Sequence, residues 1–439
     1  MLEKLRTIFQ VPELRRRILF SLALIVVYRL GEHMPTPGVN AAALQGAFAS
    51  QANGLFGLYD MFVGGAFSRA TVFALGIMPY ISASIILQLL GAVVPYFEKL
   101  RKEGEEGQKK LTQWTRYGTV IISIVQSYAY SVFLVNLGAS QGLSVVPQAG
   151  VGFFVSTIIT QTAGTIFVMW LGEKITEFGI GNGISLIIFV NIIGALPNRI
   201  MQAVDSFKGG SLSLMQVAFL GVILVAVIAA VIVMTQATRK IPVQYAKRMV
   251  GRKMVGGQST HIPLRVNTAG VIPIIFASSI MILPTTVAGF FPPDSPVATL
   301  GQWFNPYGVL YNVVYALIII FFTYFYTAVV LNPTDLSENI RKGNGFIPGI
   351  RPGKPTAEYI DRVLTRITLP GAVFLAAVAV LPDVIIGAFK VPAIGFGGTS
   401  VLIVVGVALD TLQQIESHLL MRHYEGFVKK GRIRGRSRM

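Results

Sequence analysis

The sequence contains no cysteine, which excludes disulfides, a thiol nucleophile and cysteine-ligated metals. Its four histidines, His33, His261, His418 and His423, fall in loops or near the tail without HExxH or other ligand spacing, so metal chemistry is not expected. GxxxxGK[ST] does not occur, which argues against a motor that burns its own nucleotide. Charge is scarce as well. Charged residues make up 13% of the 439-residue chain and hydrophobic residues 53%, too little polar surface to coat a soluble globule of this size. Within the apolar runs charges nearly vanish, whereas ion-coupled pumps and transporters place Asp, Glu, His or Lys at membrane depth. Arg29 and Asp410 intrude only near the ends of their runs, where snorkelling accounts for them.

What remains is a polytopic membrane protein. About 20 apolar residues cross a hydrocarbon core of about 30 Å as a helix, and ten segments qualify: 18–36, 72–94, 118–137, 151–172, 180–200, 214–235, 269–289, 309–331, 367–388 and 399–415. Lysine and arginine orient them, because cationic loops stay on the cytoplasmic side. The N-terminal lead, the loops 95–117, 173–179, 236–268 and 332–366, and the tail hold 32 of the 37 Lys and Arg. That bias places both termini in the cytoplasm and requires an even number of spans. The lead, "MLEKLRTIFQVPELRRR", is basic and amphipathic, and no cleavable signal peptide is expected. The chain divides into the lead 1–17, a half 18–200, a half 201–420 and a basic tail 421–439. Five spans per half is an odd number, so the halves enter the membrane from opposite sides and an inverted repeat is expected, with a pathway at their interface.

Two cytoplasmic loops are more than connectors. Loop 236–268 alternates Val, Tyr and Thr around Gly251, Gly256 and Gly257, which predicts an extended hairpin. Loop 332–366 opens with a short helix and then presents "PGIRPGKP", where prolines stiffen the chain and Gly349 and Gly353 permit a tight turn, so that Arg351 stands at a rigid tip. Most of the cytoplasmic cations serve topology and anionic lipid; Arg252, Lys253 and Arg351 are read as docking residues. Within "LGIMPYISASIILQLL", Ile77, Ile81, Ser84 and Gln88 recur at i, i+4, i+7 and i+11 and share one helical stripe, apolar toward the outside and polar toward the cytoplasm. At such spacing an isoleucine is more often ordinary packing than a gate.

The stretches "GGAFSRATVFALGIMPYISASII", "MWLGEKITEFGIGNGIS", "YAKRMVGRKMVGGQSTHIPLRVNTAGVIPIIFASSI", "FIPGIRPGKPTAEYID" and "FGGTSVLIVVGVALD" closely resemble the bacterial SecY family, the channel-forming subunits of the Sec protein translocase. The resemblance runs nearly end to end. It implies an all-α fold of ten transmembrane helices, in two inverted five-helix halves forming a clamshell around an hourglass pore, in the bacterial plasma membrane. It implies a pore ring of Ile77, Ile81, Ile184, Ile188, Ile275 and Ile403, which would gate by dewetting. It implies a re-entrant plug near 58–70 carrying Asp60, Met61, Phe62, Val63 and Gly64, followed by Gly65, Ala66, Phe67, Ser68 and Arg69. Non-helical backbone at membrane depth is tolerated where protein or water surrounds it. A lateral gate is implied at Ser82, Ser84 and Gln88 on one side and Ser278 and Ser279 on the other, small polar surfaces where helices can meet and part.

The implied function is passive conduction of unfolded secretory chains, with apolar segments released sideways into lipid. The implied partners are SecE and SecG in the membrane, the SecA ATPase or a translating ribosome at the basic face, signal peptides, and anionic lipids; no cofactor and no catalysis are expected. A small-solute transporter built on inverted repeats is the competing reading, and it needs a charged or unwound midplane site. A membrane scaffold comes third and leaves the plug-like segment unexplained.

Overall fold

The architecture was obtained as a computed structural model, which describes residues 11–49, 55–141, 144–210, 213–245, 248–250, 253–255, 259–288, 308–389 and 397–430. Among these, seven helices are long and apolar enough to cross a membrane, or eight if Met78–Val93 and Pro95–Lys102, bent by 96°, count as one span. The chain forms two compact units, Met1–Pro197 with Val407–Met439, and Asn198–Gly406.

The first unit contains α1 (Pro12–Gly31), α2 (Ala41–Ala49), α3 (Leu55–Phe62), α4 (Met78–Val93), α5 (Pro95–Lys102), α6 (Glu105–Gln141), α7 (Val151–Phe178) and the start of α8 (Gly183–Lys208). Prolines place the breaks. Pro12, Pro79 and Pro95 each sit in the first turn of a helix, where the missing N–H has no intrahelical partner to lose. Pro95 also holds Val94 extended, which stops α4 and restarts the chain as α5. The α5 helix is amphipathic: Leu100 is buried, and Glu98 in the first turn and Lys99, Arg101 and Lys102 in the last complement the helix dipole. Its Phe97 meets Trp114 of α6 edge-on at 6.3 Å.

The run 72–94, expected as one span, is shorter as a helix. The α4 helix begins at Met78 and has 16 residues, about 24 Å of rise, because 63–77 is a series of turns in which Gly64, Gly65 and Gly76 take positive φ. The turn-prone "GIGNGIS" resolves into a helix start. Gly181 takes φ 81°, and the Asn182 side chain accepts from the backbone N–H of Ile184 at 3.1 Å and of Ser185 at 3.3 Å, capping α8. Gly183 lies so close to α7 that a Cβ would fall 2.0 Å from the Gly172 carbonyl oxygen.

The second unit contains the rest of α8, α9 (Leu214–Gln236), strands β1 (Thr238–Tyr245), β2 (Arg248–Val250), β3 (Lys253–Val255) and β4 (Ser259–Arg265), then α10 (Ile272–Ala288), α11 (Val309–Val330), α12 (Pro333–Lys342), β5 (Gly345–Phe346), α13 (Lys354–Phe389) and the start of α14 (Gly398–Lys430). Ser213 and Gln216 form a capping box at the start of α9. The all-α expectation fails in the two long loops. The hairpin expected in 236–268 forms as β1 against β4, with Ile241 opposite Ile262, and a two-residue strand from the other loop joins its edge to give the order β4-β1-β5. Ile241 and Val243 point to one face of β1. They pack with Leu264, Ile340, Ile347, Ile360 and Leu364, so the two loops share one hydrophobic core.

Close glycine contacts make a stability prediction. A Cβ at Gly164 of α7 would sit 2.1 Å from the Val72 carbonyl oxygen, whereas one at Gly46 of α2 meets nothing within 4 Å. Gly164→Ala is expected to lose about 1–3 kcal/mol through forced backbone displacement, seen as a lower thermal unfolding midpoint in detergent. Gly46→Ala should match or exceed the parent, since alanine is the better helix former by about 1 kcal/mol. Equal midpoints for the two variants would contradict the close α7 contact.

Candidate functional site

The segment expected as the plug is short helix followed by turns, and it satisfies most of its polar groups itself. The Asp60 carboxylate accepts from the Ser68 backbone N–H at 2.8 Å. Arg69 donates through Nε to the Gly65 carbonyl at 2.8 Å and through Nη2 to the Gly64 carbonyl at 2.9 Å. The Gly65 N–H donates to the Asp60 carbonyl and the Thr71 N–H to the Ala66 carbonyl. Both charged residues are thereby spent on backbone groups that the irregular chain leaves open. Met61, Phe62, Val63, Ala66 and Phe67 are buried. The Phe67 ring lies among Tyr59 (4.9 Å), Tyr130 (4.7 Å), Phe133 (5.7 Å) and Phe48 (5.8 Å), and the Tyr130 hydroxyl donates to the Phe67 carbonyl at 2.7 Å.

A second layer of residues, invisible to spacing arguments, surrounds that segment. Asn191 of α8 is buried and donates through Nδ2 to the Phe62 carbonyl at 2.9 Å and to the Tyr28 hydroxyl at 2.8 Å. Tyr28 stacks on Phe73 at 5.7 Å, a packing that Gly31 permits because its Cβ would overlap the Phe73 ring. Arg29 does not snorkel. It pairs with the fully buried Glu32 at 2.6 Å and donates to the Val190 carbonyl, across a surface that Gly194 leaves open for the guanidinium. Gln161 of α7 donates to the Thr36 hydroxyl at 2.9 Å and the Thr71 carbonyl at 2.8 Å. The available signal was the i, i+1, i+4 set of Tyr28, Arg29 and Glu32 at the end of an apolar run, together with single amides in "FVNII" and "TQTAG". Because Glu32 is already engaged by Arg29 at a helix end, it does not supply the open charged site that a transporter needs.

The remaining predicted residues fall as follows. In the first unit Ile77 caps α4 and its carbonyl receives the Ile81 N–H at 3.1 Å. Both isoleucines are buried, as is Ile188, while Ile184 is half-buried at the α8 start. Ser82 is buried, and Gln88 donates to the Ser84 hydroxyl at 3.1 Å, so these two share a face as the stripe required. In the second unit Ile275 and Ile403 are buried. Ser279 bonds back to the Ile275 carbonyl at 2.8 Å, and Ser278 to the Ile274 carbonyl at 2.8 Å and to the Tyr315 hydroxyl at 2.9 Å.

Arg351 is exposed between two left-handed glycines, Gly349 at φ 81° and Gly353 at φ 102°. Its turn is tied from both sides: Ser337 donates to the Gly353 carbonyl at 2.8 Å and Thr356 to the Arg351 carbonyl at 2.8 Å. Pro333, with Asn332 capping α12, starts the helix that carries Ser337. Lys253 lies on β3 at the end of the hairpin; Arg252 lies outside the described residues.

The SecY family model matches residues 71–412. The protein translocase subunit SecY of Halalkalibacterium halodurans is 48% identical over 98% of the chain and 100% of its own length. A structure described as that of a protein conducting channel aligns with a TM-score of 0.65 at 18% identity, covering 92% of each chain. A second, described as showing that the SecY plug domain stabilises the closed state of the translocation channel and maintains a membrane seal, aligns with a TM-score of 0.63 at 18% identity over the same shares. With a family match across most of its length and a near-half-identical relative along all of it, the chain belongs to the SecY family.

Proposed function

We propose that the protein is a passive protein-conducting channel, which moves unfolded secretory polypeptides across the plasma membrane and releases apolar segments sideways into the bilayer. The observation that carries this reading is the 60–69 segment: a folded-back stretch with internally bonded backbone, largely buried in the first unit of a chain made mostly of helices, seven or eight of them apolar and long enough to span. In the relative's structure such a plug is described as sealing a translocation channel. Ten spans in two inverted halves, with both termini cytoplasmic, fit the helix positions and the distribution of lysine and arginine. The ring of Ile77, Ile81, Ile184, Ile188, Ile275 and Ile403 would close the conduit by dewetting. Ser82, Ser84 and Gln88 with Ser278 and Ser279 would line the helices that part. No residue is assigned a catalytic role.

Energy is supplied by partners. The shared core beneath β1, β4, β5, α12 and α13 joins the two basic loops in one platform that displays Arg351, and Arg252 and Lys253 belong to the hairpin loop of that platform in sequence. SecA or a ribosome would dock there, ribosomal RNA offering phosphates to Arg and Lys, while SecE and SecG are the membrane partners and signal peptides and anionic lipids the other ligands. Reconstitution with these partners, followed by protease protection of an imported unfolded precursor, tests the reading; a chain that binds its partners and never protects precursor would overturn it.

Replacing the six ring isoleucines with serine should wet the constriction and raise resting ion conductance in planar bilayers; a multiple variant as tight as the parent removes the seal from this ring. Arg351→Glu should keep the turn, whose ties run through backbone carbonyls, while reversing the displayed charge. Breaking a close interfacial ion pair costs about 2–5 kcal/mol, on the order of 30-fold or more in affinity. SecA-driven import is therefore expected to fall sharply with membrane insertion intact. Lys253→Glu and Arg252→Glu should weaken ribosome binding with a steep salt dependence. Unchanged docking and import in all three variants would reduce the loops to topology signals.

A further inference from the structure

The plug segment is tied at both ends, and the ties differ in kind. At its C-terminal end the Val72 N–H donates to the Met34 carbonyl at 2.9 Å, the Thr36 N–H to the Ala70 carbonyl at 2.8 Å, and Gln161 grips the Thr71 carbonyl at 2.8 Å. Close packing of Gly164 against Val72 completes that end. Two of these ties are backbone pairings inside a tightly packed corner, and with the Gln161 bond they fix it in place.

The N-terminal end hangs on side chains. A single amide group, Nδ2 of Asn191, is shared between the Phe62 carbonyl at 2.9 Å and the Tyr28 hydroxyl at 2.8 Å. Gly64, at φ 71°, presses into the same spot: a Cβ there would lie 2.7 Å from Glu32 Oε1 and 3.1 Å from Asn191 Oδ1. Asn191 Oδ1 lacks a hydrogen-bond donor among the described residues, while the Glu32 carboxylate is hydrogen-bonded by Tyr28 and Arg29. Seating the corner therefore gains the bond to Phe62, beside the Tyr130 bond to the Phe67 carbonyl, and leaves Asn191 Oδ1 desolvated, a cost that water would relieve if the corner moved away. The Arg29–Glu32 pair and the donation from Arg29 to Val190 hold the facing surface in place whether or not the corner is seated.

Building on the plug reading, we propose that Tyr28, Arg29, Glu32 and Asn191 form a releasable latch for the Phe62–Gly64 corner, with Thr71 as the fixed hinge about which the segment swings. The latch sets how often the resting channel opens. Its balance at the corner is narrow, because the bond Asn191 makes to Phe62 is offset by the acceptor the same side chain strands.

The absence of native cysteine gives the test a clean background. Val63→Cys, at a position 1% exposed, is introduced into the full chain in vesicles, and its labelling by a membrane-impermeant maleimide added at the outer face is timed. Asn191→Leu removes the donor and Gly64→Ala drives a methyl onto Glu32. Each should speed labelling about tenfold, the scale of one lost buried hydrogen bond, and raise resting conductance. Asn191→Leu should not add to the conductance of a chain lacking residues 60–69. The two variants act by different routes, so a folding failure in one leaves the other to decide. If the deletion leaks while both point variants label at the parent rate, the latch is wrong and the plug stands. If the deletion is as tight as the parent, the plug reading itself fails.

Discussion

Backbone N–H and C=O groups inside hydrocarbon have no water to bond with, and each one left open costs several kcal/mol. Everything irregular in this chain is arranged around that constraint. Where the backbone is helical the problem solves itself. Between α3 and α4 it is not helical, and the open carbonyls of Gly64, Gly65, Phe67 and Thr71 are met by Arg69, Tyr130 and Gln161. The segment satisfies most of its own needs through Asp60 and Arg69.

Proline and glycine set the boundaries of the remaining architecture. Pro95 stops one helix and turns its successor through 96°. Glycines at 31, 164, 183 and 194 remove side chains where a ring, a carbonyl or a guanidinium has to come close. In water such contacts would be bought by the hydrophobic effect; between helices in lipid, close van der Waals approach carries more of the association, and small residues at contact points matter correspondingly.

The two long basic loops follow the opposite logic. They lie outside the spans, where a β-hairpin with one buried and one exposed face is stable only if something covers the buried face. Ile340 of α12, Ile347, and Ile360 and Leu364 of α13 provide that cover. The basic hairpin and the Arg351 turn are thus two edges of one folded platform and not two independent loops.

Hydrophobicity alone determined that this is a membrane protein and roughly where its helices run, because the bilayer imposes a length on apolar runs, while the lysines and arginines set the expectation of which loops face the cytoplasm. The hairpin was legible in the alternation of Val, Tyr and Thr around Gly251, Gly256 and Gly257, and the Arg351 turn in its prolines and glycines. The joining of β5 to β1 was not legible, since two residues carry no periodicity and their pairing spans a hundred positions of chain. Nor was the length of α4: the run 72–94 is apolar throughout, and only the folded-back chain shows that its first residues are turns. Above all, Tyr28, Glu32, Gln161 and Asn191 read as scattered polar residues in apolar runs. Their meaning depends on which carbonyl each one reaches, and hydrogen bonds between residues more than a hundred apart in sequence exist only once tertiary packing has brought them together.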